Sequence, residues 1–367
     1  MGLQLSCSEL MLLNLLRCSI SGKDMDLTLF EGRTSAEWQE CYILACTQGV
    51  RALTWDAIMT LPQELQPERV IKIKWALDVE RVERQFDYYS KVANELREFY
   101  LSHNIDMVQM KGVGLATEYP IPKHREGGDI DIYTYSSDTA KLTNEQANEL
   151  ADKLMLGQGI AVTNDKTEKH SEFVYKGVMI ENHKTFINVK EYKLAQQVEE
   201  ILKKRLNPRK VILAEGCSVN IPSPQFNSLF VIFHAAQHYQ CGLALHHLCD
   251  WAVLINKYGL GAIPDSIKGG FREFIYAMTA LCNDYLGSEV YVESKGELTN
   301  NILNSMLHPR YKNQELPELG KFGVIVYKTK RFFYRNLRRN RVLNHNMGHA
   351  IFNSIVSHIK RPHTIFH

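Results

Sequence analysis

The chain has 367 residues, 45% hydrophobic and 23% charged, enough to bury a sizeable core spread over two or three packed units. With 11 Pro, 22 Gly and no run near the roughly 18 apolar residues of a membrane span, composition excludes a linker-dominated chain and predicts no membrane segment. The net charge of +2 is unevenly spread: residues 321–367 hold ten Lys or Arg and no acid, a block that suits phosphate, an acidic surface or, more plainly, a solvated or internally paired helix face.

Eight cysteines at positions 7, 18, 41, 46, 217, 241, 249 and 282 form no C-x-x-C pair, which argues against a zinc ribbon. No basic segment precedes the first apolar stretch, and Glu9 and Arg17 interrupt it, so no signal peptide is read. A cytoplasmic location with free thiols is the expectation.

The first hundred residues read as helices. Segments Glu9–Cys18 and Ala36–Ile58 have helical periodicity, and beyond Pro67 the residues Ile71, Trp75, Val79, Val82, Phe86, Tyr89, Ala93, Leu96 and Tyr100 fall on one stripe of a long helix ending near His103. The texture then changes. Asp106–Met110 suits a buried strand, Lys111-Gly-Val-Gly114 opens a brief helix, and Asp129–Tyr133 reads as a second strand. A helix over Asn144–Met155 follows, then a hairpin of Glu172–Tyr175 and Val178–His183 across a Lys176-Gly177 turn. After a helix near Leu194–Leu206 and a proline-containing connection around Ile221–Pro224, helices recur at Phe226–Tyr239, Leu243–Tyr258 and Glu273–Leu286. The expected fold class is α+β, with a helical region over residues 1–104, a mixed-sheet core over 105–220 and a helical region with a basic end over 221–367.

On a strand, alternate residues share a face, so Asp129 and Asp131 point the same way, about 7 Å apart along the chain. Two like charges that close need solvent, a basic partner or an oxygen-coordinated divalent cation. Glu181 shares a strand face with Met179 and His183, and it completes a triad if its strand lies beside the first in the right register. Three carboxylates have room for two metal ions in phosphoryl transfer. The glycine turn, where strand meets helix, lets backbone N–H groups approach a phosphate, or is simply a tight turn.

These residues resemble the polymerase-β-type nucleotidyltransferase superfamily. The closer resemblance is to a group of bacterial nucleotidyltransferases, carried by Met110-Lys-Gly112, Tyr119-Pro120, Arg125, Gly128-Asp-Ile-Asp131, Glu181-Asn-His183, His234, His238 and Asp250, over most of the chain. The resemblance implies Asp129 and Asp131 as metal ligands for Mg2+, Glu181 as third carboxylate, and an NTP substrate. The adjacent glycine-serine of many superfamily members is missing at Gly112-Val-Gly114, which leaves Lys111 and Arg125 as candidate cations for the triphosphate; the plainer alternative pairs Arg125 with Glu126 or Asp129.

His234 and His238 stand four residues apart on one helical face, the spacing of helix-borne metal sites, with His246, His247 and Asp250 on the next helix. No Glu follows the first His as in zinc peptidases, so packing or pocket-lining roles are expected for His183, His234, His238 and Asp250. The leading expectation is transfer of an NMP group from an NTP to a hydroxyl-type acceptor that is a small molecule, an RNA or a protein. The alternatives are an inactive nucleotide-sensing or partner-binding protein of the same fold, and a nucleic-acid binder using the basic end.

Overall fold

Capping boxes start the first two α-helices. Ser6 and Glu9 exchange side-chain and backbone bonds at the start of α1 (Cys7–Ser21), and Thr34 and Glu37 do the same at α2 (Ser35–Thr47). The segment expected over Ala36–Ile58 is two helices, because Gly49, at φ +66°, turns the chain before α3 (Arg51–Ile58). Helix α4 (Arg69–Leu101) carries the long stripe: Ile71, Trp75, Val79, Val82, Phe86, Ala93, Leu96 and Tyr100 are all buried. Its N-terminal half packs on α2 and α3, and its C-terminal half lies on the sheet.

That sheet is built from β1 (Ile105–Gln109), β2 (Ile130–Ser136), β3 (Thr163–Asn164), β4 (His170–Tyr175), β5 (Val178–His183), β6 (Arg209–Ala214) and β7 (Cys217–Ile221). Between strands lie α5 (Gly112–Ala116), α6 (Asn144–Gly157) and α7 (Lys193–Arg205). The order across the sheet is β3-β4-β5-β2-β1-β7-β6, with β2 parallel to β5, β1 parallel to β7 and the other neighbours antiparallel. The β6–β7 hairpin stands between the expected helix, which is α7, and the proline-containing connection, over residues for which the sequence predicts no element. Its β6 carries Val211-Ile-Leu-Ala214 at the sheet edge, where no residue of the strand is buried and Ile212 is exposed.

The chain continues through α8 (Pro224–His238), α9 (Leu245–Tyr258), α10 (Gly270–Leu286), α11 (Gly296–Leu307) and the basic α12 (Lys321–Leu343). Helices from both ends share one core, in which α1 packs against α3, α9 and α10, while the sheet and α4 and α6 form a second. On α12, Arg338 stacks over Tyr334 and Tyr239 at 4.3 and 4.7 Å, so part of the basic end is paired internally. This computed structural model describes residues 4–137, 142–164, 169–189, 193–214, 216–240, 242–293, 296–311, 320–344 and 348; the rest of the basic end lies outside them. Among the described residues no helix is long and apolar enough to cross a membrane. The fold is α+β, a mixed sheet flanked by helices.

Gly114 lies where α5 meets β7: a Cβ there would sit 2.9 Å from Ile221 Cγ2 and 3.1 Å from the Gln109 carbonyl oxygen. Gly114→Ala is expected to lower stability by about 1–3 kcal/mol through overpacking, measured by urea unfolding. The added cost of Gly114→Ala should be smaller in an Ile221→Ala background, which lacks Cγ2, but not zero, since the Gln109 carbonyl oxygen stays in place.

Candidate functional site

The register of β2 against β5 brings the acids together. Asp131 pairs with Glu181 across the parallel ladder, and Asp129 precedes β2 by one residue on the same side. A carboxylate oxygen from each of Asp129, Asp131 and Glu181 lies within 4.8 Å of the others. On the far side of β5, β4 sets His170 opposite His183 and Glu172 opposite Glu181. Behind the acids, Asn148 Nδ2 on α6 donates to Asn182 Oδ1 and to the His183 carbonyl, both at 2.9 Å, which ties β5 to the helix beneath it.

Asp131 is fully buried, and its two oxygens are held differently. His183 Nε2 donates to Oδ1 at 3.0 Å and lies 3.4 Å from Glu181 Oε2. Lys111 Nζ stands 3.1 Å from Oδ2, off hydrogen-bond geometry, so that buried oxygen has no hydrogen-bond donor among the described residues. Lys111 reaches this place because Met110 continues β1 by donating its N–H to the Asp131 carbonyl at 3.0 Å.

The electrostatics follow. Burial pushes Asp131 up, but Lys111 and the His183 hydrogen bond outweigh it and hold the carboxyl well below the carboxylate range. Burial and the Asp131 charge raise Asp129. For Glu181, burial is overcome by the His183 contact and its pKa falls. Lys111 is raised because its acidic neighbours outweigh its burial. A buried oxygen without a donor beside three hard oxygen ligands fits an oxygen-preferring divalent cation, with His183 orienting a ligand from outside.

Arg125 pairs with neither Glu126 nor Asp129. Its Nε and Nη2 donate to both oxygens of Asp250 on α9 at 2.8 and 2.9 Å, Tyr119 Oη donates to the same carboxylate at 2.6 Å, and Arg125 Nη1 reaches the Gly112 carbonyl at 3.2 Å. The bidentate pair is almost fully buried and ties α9 to the glycine turn. Glu126 instead caps α3, accepting the Arg51 N–H at 2.7 Å and Arg51 Nε at 2.9 Å. Gly112, at φ +58°, lets the turn pass the Asp129 carbonyl, which a Cβ would approach to 3.0 Å.

These groups border a cavity of about 870 Å³. Of the residues singled out in the sequence, Lys111, Gly112, Arg125, Asp129, Glu181, His234, His238 and Asp250 line it, while Asp131 and His183 are fully buried at its edge and Gly114 packs away from it. Arg51, Arg81, Gln85 and Lys169 also line it and carry no local sequence signal; α3 and α4 bring in the first three through packing. His246 and His247 complete a histidine wall, while Tyr133 packs on Phe186 in the core, 4.5 Å between ring centroids.

The family's sequence pattern, described as "uncharacterised nucleotidyltransferase", matches residues 34–287, more than two thirds of the chain. The chain belongs to this nucleotidyltransferase family. That span takes in this chain's glycine turn, carboxylate strands and histidine helices. No curated protein matches the sequence. Among solved structures, an antigenic nucleotidyltransferase-like protein from Paracoccidioides brasiliensis aligns at 14% identity and a TM-score of 0.36, covering 56% of this chain and 95% of that one.

The wall histidines give a pH signature. Burial, with Lys111 nearby, pushes His238 down to about 4 from 6.5. A histidine depressed on folding contributes stability that is complete above its unfolded pKa and is lost as pH falls through the folded value. In chelator, stability should therefore drop between about pH 6.5 and 4, with a shallower slope in His238→Gln, followed by urea midpoints across that range. An unchanged slope in that variant would count against the assignment.

Proposed function

We propose that this nucleotidyltransferase moves an NMP group from an NTP to a hydroxyl-type acceptor, releasing pyrophosphate, with Mg2+ bound at Asp129, Asp131 and Glu181. The observation that carries the reading is the convergence of these carboxylates from β2 and β5 on one cavity. When bound, Mg2+ would neutralise triphosphate charge and lower the pKa of the acceptor hydroxyl.

The chain's own groups supply the rest. Asp129 is the carboxylate whose pKa is raised, which suits it to sharing a proton or a cation with the acceptor side. Asp131, held ionised and oriented by His183, is the fixed ligand. Lys111 is the cation nearest to the carboxylates and would meet the triphosphate, exchanging its contact with Asp131 for one with a phosphate oxygen. Arg125, consumed by Asp250, positions the glycine turn more than it grips a phosphate. Arg51, Arg81 and Lys169 also line the cavity, the first two with their charge already met by Glu126 and Asp78.

A second reading, a nucleotide-binding protein without turnover, is favoured by the same Lys111–Asp131 pair, because an ammonium at the carboxylates competes with a cation there. Thermal unfolding with each NTP and Mg2+, together with pyrophosphate release on an acceptor panel, separates the two. Stabilisation of about 2.7 kcal/mol is expected at roughly 100 times Kd. Asp129→Asn/Asp131→Asn should lose the Mg2+-dependent part and slow pyrophosphate release on the order of a thousandfold. Equal Mg2+-dependent protection in wild type and the double variant would overturn the carboxylate assignment; protection without turnover across the panel would favour the second reading.

A further inference from the structure

The histidine wall of the cavity holds a second constellation. His234 and His238, four residues apart on α8, face the cavity with ring centroids 4.4 Å apart, and His247 on α9 sits 4.9 Å from His238 and 5.8 Å from His234. One ring nitrogen from each lies within 4.8 Å of the other two. We propose that His234, His238 and His247 form a binding site for an imidazole-preferring divalent transition metal, with Zn2+ as the representative ion, separate from the carboxylate centre.

Ligand chemistry sets the class. Three imidazoles suit zinc, cobalt, nickel or copper, whereas Mg2+ takes oxygen ligands and holds its water, so the two sites of the cavity differ in the ion they select. Zn–N bonds of about 2.0–2.1 Å in a tetrahedron place ligand nitrogens about 3.3 Å apart, so the rings have to close by at most about 1.5 Å. Their setting allows this: His234 and His238 are partly exposed to the cavity, which leaves room for side-chain rotation, and burial favours the neutral imidazole that ligates.

The surroundings sort ligands from neighbours. His247 Nδ1 meets both the Ala244 N–H at 3.2 Å and the Ala244 carbonyl at 3.3 Å, and ligation through Nε2 takes the tautomer in which Nδ1 donates to that carbonyl, as backbone carbonyls do for metal-bound histidines. His246 is turned to the Gln48 carbonyl, with Nδ1 3.2 Å away, and stays outside the set. Phe230 stacks along His234 and closes the site on its apolar side. Asp250 is occupied by Arg125 and Tyr119 and adds no free charge. Lys111 and Lys169 are the cations close enough to oppose a dication, and Asp129, Asp131 and Glu181 in the same cavity offset them. Three protein ligands leave a fourth position for water or for a donor atom of the acceptor, the arrangement of open zinc sites. This site stands whether or not the nucleotidyl-transfer reading does.

The test uses the untagged full chain after chelation, titrated with Zn2+ and with Co2+, the latter read by its visible ligand-field absorption, alongside His238→Gln, His247→Gln and Asp129→Asn/Asp131→Asn. One ion per chain with a tetrahedral Co2+ spectrum is expected in wild type and in the double carboxylate variant. Each histidine variant should weaken binding on the order of a hundredfold. Equal binding in folded histidine variants overturns the site, as does the absence of stoichiometric binding in wild type. Where a histidine variant fails to fold, zinc anomalous scattering from a soaked wild-type crystal decides: a peak bridging the three rings supports the site, and a peak on His170, Glu181 and His183, or none, overturns it.

Discussion

Parallel pairing of β2 with β5, with Asp131 opposite Glu181, is the constraint on which the rest of the cavity depends. Because side chains alternate along a strand, a slip of one residue would turn Glu181 to the opposite face and scatter the acids. The register is pinned from behind by Asn148 and Asn182, and from the neighbouring strand by Met110, whose backbone bond to Asp131 delivers Lys111 beside the same carboxylate. Burying three acids in one place is costly, and the chain offsets part of that cost locally with an ammonium and an imidazole.

The second constraint is tertiary. Helices α8 and α9 form the opposite wall, and the buried Arg125–Asp250 pair fastens that wall to the glycine turn. Removing one member of such a pair strands a buried charge, a loss of about 3–5 kcal/mol, so the pair links the cavity's shape to the stability of the fold. The N-terminal helices serve the same end at longer range: α3 and α4 place Arg51, Arg81 and Gln85 at the rim, and α1 packs on α10 within the core that carries the histidine helices.

Much of this was legible in the sequence where periodicity and chemistry coincide. The alternation of Met179, Glu181 and His183 against Val178 and Ile180 announces a half-buried strand, and the Asp129-Ile-Asp131 repeat announces an acidic face. The long stripe of α4 was equally plain. Signals failed where the partner lies far along the chain. Nothing near Arg125 points to Asp250, 125 residues away, and the edge hairpin of β6 and β7 escapes because its exposed strand carries Lys210 and Ile212 without a buried run. The paired histidines of α8 were visible, but His247 joins them through helix packing, a contact that spacing does not encode.

A cavity with hard oxygen ligands on one wall and imidazoles on the other can keep two kinds of cation apart by ligand chemistry alone. On the proposed reading, the carboxylates of β2 and β5 act together as one cation site. The most direct measurement is an anomalous difference map at the manganese edge from crystals grown with Mn2+ and a non-hydrolysable NTP. The account predicts a peak within coordination distance of Asp129, Asp131 and Glu181, with Lys111 moved onto the phosphates. Bound nucleotide without a metal peak there, and Lys111 still against Asp131, would contradict it.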